Sequence, residues 1–194
     1  MKDNRNRHLK YLNNLKDYKV AKDNPDVRGW PLLDADKKEI GKIENFLVDM
    51  DAEAVRYLEV SIKPENKDAI DTKTAAGGMA ESHTIRTKNE GVRLIVPIGL
   101  ARINREDHNV YTDSINTENY RNLPVISQGE TPTEQFERDL VNRFTGNSNR
   151  NQEHTSGKDP NQLENESQKE DVFYGQECFD QECFFESERY GGRK

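Results

Sequence analysis

The chain has no long hydrophobic run. A helix that crosses a bilayer needs about 20 consecutive apolar residues, and no such stretch occurs in the 194 residues. No apolar segment follows the charged N-terminus, which argues against a secretory leader and makes the cytoplasm the expected compartment. Two cysteines, Cys178 and Cys183, are too few for a disulfide framework and suit a reducing compartment. Core-forming residues are also scarce, with 32% hydrophobic against 34% charged, so the chain cannot be packed throughout. Between Asn147 and Asp171 the only aliphatic residue is Leu163. Such a segment cannot offset its ordering entropy by burial, and residues 147–171 read as a disordered linker. A dense basic stripe is missing too. The net charge is −7, and affinity for phosphates comes largely from Lys and Arg displacing counterions, so nucleic acid is a poor partner. Charge is uneven: residues 1–17 carry five Lys/Arg against two Asp, and residues 147–194 carry six Lys/Arg against eleven Asp/Glu. The basic N-terminal arm, residues 1–16, reads as a flexible arm or weak helix with a solvated face.

Short strands follow the arm. Tyr18–Ala21 alternates briefly, and Asn24-Pro25-Asp26 is turn chemistry. Pro31 suits a strand start or an edge. Asp34–Lys38 reads as a hairpin turn, although it has no glycine. Ile40–Met50 is the clearest strand, long enough to twist and to carry a bulge. Val55–Ile62 alternates, with Leu58, Val60 and Ile62 facing inward and Tyr57, Glu59 and Ser61 outward. Residues 63–91 resemble an insertion, a long loop with a flanking strand at Ser82–Thr87. Val92–Ile98 is a strand, and Leu100–Ile103 with Val110–Thr112 form a last hairpin. Short strands at regular spacing indicate a small barrel or sandwich, and closure would remove exposed edges. Beyond them, Ile115–Glu118 reads as a helix start. Thr131-Pro132-Thr133-Glu134 opens a second helix, with Thr131 as the cap, and Phe136, Leu140, Val141 and Phe144 fall on one face. Gly146 stops it, and its apolar stripe should dock on the barrel.

Several of these pieces, in order, resemble a known family. Arg28-Gly29-Trp30-Pro31-Leu32, Gly41-Lys42-Ile43 and Phe46-Leu47-Val48-Asp49 are similar to the opening hairpin of PRC-barrel domains. Val55–Val60 looks like the central strand of the cytoplasmic domain of the photosynthetic reaction-centre H subunit, and Leu94–Ile98, Ala101–Ile103 and Val110–Asp113 resemble its final strands. The resemblance covers about residues 18–146. It implies a mainly β fold, a small PRC-type, SH3-like β-barrel with one or two short C-terminal helices and disordered tails. Nothing in the residues suggests pigment or quinone binding, and no cofactor is expected. The membrane helix of the H subunit has no counterpart in this sequence, so a photosynthetic role is not carried over. In that family the matching carboxylate, Glu59 here, lies near a proton path.

Residue by residue, the candidates are few. Glu59 reads either as a proton-relay or partner-facing carboxylate tuned by Arg56 or Arg102, or as an ordinary surface ion pair of little energetic value. The near-repeat Gln176-Glu177-Cys178-Phe179-Asp180-Gln181-Glu182-Cys183-Phe184 holds both thiols. A structural zinc site needs four ligands, and no second cysteine pair or nearby histidine supplies them. The aromatic run Phe173, Tyr174, Phe179, Phe184 and Phe185 is too apolar for a plain tail and reads as a motif that docks on a partner or on the barrel. His8, His83, His108 and His154 are dispersed. No nucleophile elbow is present, and Gly77-Gly78 lacks a phosphate-loop context. The expected organisation is an arm (1–16), a barrel with its helix (17–146), a linker (147–171) and an aromatic, cysteine-bearing tail (172–194). The expected function is a non-catalytic interaction or adaptor module with a protein partner, with self-association open. The alternatives are an RNA- or ribosome-associated barrel, as in a ribosome-maturation family with the same fold, and a small-ligand binder.

Overall fold

The computed structural model describes residues 9–67, 91–116, 119, 123, 125–145 and 173–185. Eight strands form one mixed sheet: β1 (Leu9–Tyr11), β2 (Pro31–Leu33), β3 (Glu39–Asp49), β4 (Ala54–Ile62), β5 (Val92–Pro97), β6 (Arg102–Asn104), β7 (Asn109–Tyr111) and β8 (Val125–Ser127). The hydrogen-bonded order is β6-β7-β2-β3-β4-β5-β8, and β1 pairs with β3. Among the described residues, three short α-helices, α1 (Pro64–Lys67), α2 (Glu134–Thr145) and α3 (Gln181–Phe185), accompany it.

The sheet is not a closed barrel. β6 and β8 end the ladder, each bonded to a single neighbour. Both are three residues long, which leaves little backbone with which to join the two ends. The sheet nevertheless curls around one core, because Ile103 of β6, Val110 of β7 and Val125 of β8 share a buried cluster with Ile43, Phe46, Leu58 and Val60 of the central strands. The remaining gap is flanked by other elements: α3 packs beside β6 and beside the 3-10 turn Ile98–Leu100.

Local chemistry explains the turns. The glycine-free β2–β3 hairpin works because the Asp34 carboxylate accepts the Lys38 N–H at 2.8 Å and Lys37 adopts φ 63°. Gly41 is required where β3 meets β4, since a Cβ there would stand 1.9 Å from the Ser61 carbonyl oxygen. β3 and β4 each carry an extra residue. The register skips Glu44 between Ile43 and Asn45, and skips Arg56 where Leu47 pairs with Tyr57 and Val48 with Val55. Such bulges re-aim side chains. α2 is capped by Thr133, whose Oγ1 accepts the Phe136 N–H at 3.2 Å. The cap is thus two residues later than Thr131, because the helix starts after Thr133 rather than at Pro132.

Two further expectations are corrected, and one strand was not expected. Leu9–Tyr11 is a strand paired to Asp49–Leu47, with Leu9 and Tyr11 buried, so this part of the arm belongs to the fold. Tyr18–Ala21 joins no ladder. β8, which three residues of sequence could not announce, pairs with β5. The strand expected at Ser82–Thr87 and the linker 147–171 lie outside the described residues.

Candidate functional site

The alternation of β4 divides the protein into two layers. Leu58, Val60 and Ile62 enter the inner core. On the other face, Tyr57 joins Leu47, Ile95, Phe136, Leu140, Val141 and the distant Tyr174, Cys178 and Phe179 in a second cluster. Two of the outward positions of β4, Tyr57 and Glu59, are therefore covered. Tyr57 has no exposed surface, and Glu59 is 5% exposed.

Glu59 is consequently no surface ion pair. It pairs with Asn45 and Ile95 in the middle of the sheet. Neither arginine expected to tune it does so. Arg56, moved by the bulge, donates to Asp49 Oδ2 from Nε and Nη2 at 3.2 and 3.1 Å. Arg102 donates to the carbonyls of Gly99 and Ala101 at 2.7 and 2.8 Å. The cation facing Glu59 is Arg93, with Nε 3.9 Å from Oε1. That separation is longer than a hydrogen bond, and this buried Nε has no hydrogen-bond partner. Burial raises the Glu59 carboxyl above its ordinary range; Arg93 opposes the shift and Glu44 adds to it. The single proton of the Tyr11 hydroxyl goes to the Glu130 carbonyl at 2.6 Å. Burial also raises Tyr11, and Glu59 acts on it as a nearby negative charge.

The aromatic tail residues lie on the fold. Phe179 meets Tyr57 edge to face, with ring centroids 5.3 Å apart, and it also contacts Tyr174 at 5.0 Å and Phe173 at 5.2 Å. Phe184 is fully buried in the inner core, with Phe185 against it at 4.9 Å. The segment crosses from one layer to the other, giving Phe179 to the outer cluster and Phe184 to the inner one. Polar contacts fix its placement. Gln181 Oε1 accepts the Val55 N–H at 3.0 Å. Asp180 Oδ1 accepts the N–H groups of Glu182 and Cys183 at 2.9 and 3.3 Å, capping α3. Gly99 is what lets the segment approach, because a Cβ there would lie 2.2 Å from the Glu177 carbonyl oxygen, 2.8 Å from Cys178 C and 2.9 Å from Asp180 N.

At the centre of this contact is a residue that the sequence reading passed over. Glu137, 3% exposed on α2, accepts the hydroxyl protons of Tyr57 and Tyr174 on the same Oε1, both at 2.6 Å. One carboxylate thus joins sheet, helix and tail. Burial, then the Glu137 charge, pushes both tyrosines far above their ordinary range, so both remain donors. The guanidinium of Arg56 lies 4.4 Å over the Tyr174 ring, a cation–π contact. A signal for Glu137 existed: it precedes Leu140, Val141 and Phe144 by three, four and seven positions, which places an acid on the apolar stripe.

The thiols differ. Cys178 is buried, and burial pushes it up to about 11. Cys183 is exposed, and its Sγ donates to Asp180 Oδ2 at 3.0 Å. Among the described residues, no group of three His, Cys, Asp or Glu could hold a metal ion. His108 stacks near Trp30 at 5.0 Å, and the other histidines lie outside the described residues.

Compared with known families, residues 20–118 match the PRC-barrel domain. The chain belongs to the PRC-barrel family. No curated relative matches it. Among the described residues of this PRC-barrel protein, no helix is long and apolar enough to cross a membrane. Both α2 and the aromatic segment lie C-terminal to the matched region.

Proposed function

We propose that this chain is a non-catalytic interaction module whose working surface is the outer face of β3, β4 and β5 together with α2. One observation carries the reading. That face receives an aromatic segment of short helical turns, remote in sequence, through aromatic anchors with satisfied hydroxyls. Protein-recognition sites are built in this way, with buried Tyr and Phe anchors inside a polar rim. Two of the buried acids there are committed to the fold. Glu137 holds two tyrosines, and Asp49 holds Arg56 and the N–H groups of Asp51 and Ala52. A general acid or base must instead reach a substrate proton. The ribosome-associated reading draws no support from a chain of net charge −7.

Photo-cross-linking from the full chain tests this. A photoreactive residue replaces Leu100, at the rim of the outer cluster, and a control replaces the exposed Lys42. Both are placed in the native sequence and in Gly99→Ala, which displaces the segment. In extract of the native cell, Leu100 in the Gly99→Ala chain captures a protein that Lys42 does not. If neither background gives a position-specific protein cross-link, the reading is wrong.

A further inference from the structure

The site that holds residues 173–185 is formed by parts of the chain that precede residue 146. It comprises Tyr57 and Arg56 on β4, Gly99 and Arg102 around β6, and Glu137 on α2. Every contact described above between segment and site is non-covalent and joins positions remote in sequence. The connection between them, residues 146–172, is 27 residues long. At about 3.3 Å per extended residue it can reach about 90 Å. That is several times the radius of gyration of about 14 Å expected for a domain of this size. The chain length therefore does not confine the segment to its own site.

The site's chemistry describes its occupant. It offers a carboxylate that takes two phenol protons, a cation over an aromatic ring, a glycine surface with room only for backbone, and a hole in the inner core filled by Phe184. It also faces an acidic strip. Glu177, Asp180 and Glu182 punctuate the segment, and the charge of Arg102 acts on Asp180. An occupant must supply a buried tyrosine, two phenylalanines five positions apart and interleaved acids. A second copy of this chain supplies all of these.

Resting on the interaction-module reading, we propose that the segment exchanges between copies: residues 173–185 of one chain fill the site of another, and reciprocal exchange closes a two-fold dimer. Each contact in the exchanged form is one already present within a single chain, so no new interface is needed. The tethered segment has an effective concentration on the order of mM. Intramolecular docking therefore dominates in dilute solution, and exchange takes over when chains refold together near that concentration.

Two complementary full-length variants test the exchange. Gly99→Ala spoils the site and leaves the segment intact, since the nearest atoms to its new Cβ all belong to the segment. Phe179→Ala/Phe184→Ala spoils the segment and leaves the site intact. Each is studied alone and then mixed at concentrations up to about 1 mM, by native mass spectrometry and light scattering. A one-to-one heterodimer found only in the mixture supports the proposal. If the double variant is unfolded alone, recovery of its circular dichroism on adding the Gly99→Ala chain is the same result. A synthetic peptide of residues 173–185 forms the third arm. If the peptide raises the Tm of the double variant but no heterodimer forms, exchange between copies is overturned and the interaction-module reading stands. If neither the peptide nor the second chain has any effect, both fall.

Discussion

Replacing Phe184 with alanine should unfold the barrel more readily, although Phe184 lies 66 positions beyond the last residue of the family match, 118. The side chain is fully buried in the cluster that holds Phe46, Leu58 and Ile98. Truncating a buried Phe to Ala removes its transfer energy and leaves a cavity, at a cost of about 3–5 kcal/mol. Domains of this kind have total stabilities of about 5–15 kcal/mol, so the loss is a large fraction. For a chain of this length each kcal/mol moves Tm by about 2–4 °C, which gives a fall of roughly 6–20 °C. Trp30, the single tryptophan, packs against the inner core and reports on the barrel rather than the tail. Urea titration followed by its fluorescence is therefore the assay. Phe185→Ala, a partly buried neighbour, is the control with a smaller loss. A Phe184→Ala midpoint within about 0.5 kcal/mol of the native chain, the usual range for surface substitutions, would refute the docking of the segment into the core.

Glu137→Leu should strand two buried hydroxyls at about 1–3 kcal/mol each, a total of about 2–6 kcal/mol by urea denaturation. Glu137→Gln, which keeps a carbonyl acceptor, should lose less; equal losses would sink the bridging role. The carboxyl of Glu59 is raised in the folded state, so the native protein binds the proton more tightly and its contribution to stability is lost as pH rises through the folded pKa. The stability difference between Glu59→Gln and the native chain should move in favour of the variant as pH climbs from the ordinary glutamate value, about 4.3, and level off above the raised one. A flat or opposite trend between pH 4 and 8 argues against a desolvated carboxyl. Cys183 should react with iodoacetamide well before Cys178, whose thiol is buried and raised to about 11. Gly99→Ala should speed Cys178 at least about tenfold by exposing it; an unchanged rate would show that the segment remains docked.

Much of this was legible in the sequence where the signal was local. The parity of β4, the long bulged β3 and the stripe of α2 follow from side-chain periodicity, and the aromatic run was visibly too apolar to stay in water. What periodicity could not supply is which elements cover which face. Glu59 sits on the outward side of β4, as alternation requires, yet it is buried in the middle of the sheet, beside Tyr11 and Arg93 from remote parts of the chain. Its partner is likewise cross-strand. Arg93 faces Ser61 across the ladder, whereas the nearer Arg56 is turned to Asp49 by a bulge whose position depends on pairing. Closure of the barrel was inferred from strand spacing. The ladder instead ends at β6 and β8, a matter of backbone geometry that leaves no compositional mark.

The repeated Gln-Glu-Cys-Phe of the docked segment raises a question of register. Residues 176–179 and 181–184 are identical, so a slip of five positions would offer the same four side chains to the same places. In one direction the slip puts Lys169 where Tyr174 stood, and in the other it puts Phe179 there. Neither can give a phenol proton to Glu137. The repeat by itself is degenerate, and the hydroxyl that meets Glu137 acts as the phase mark that selects one alignment.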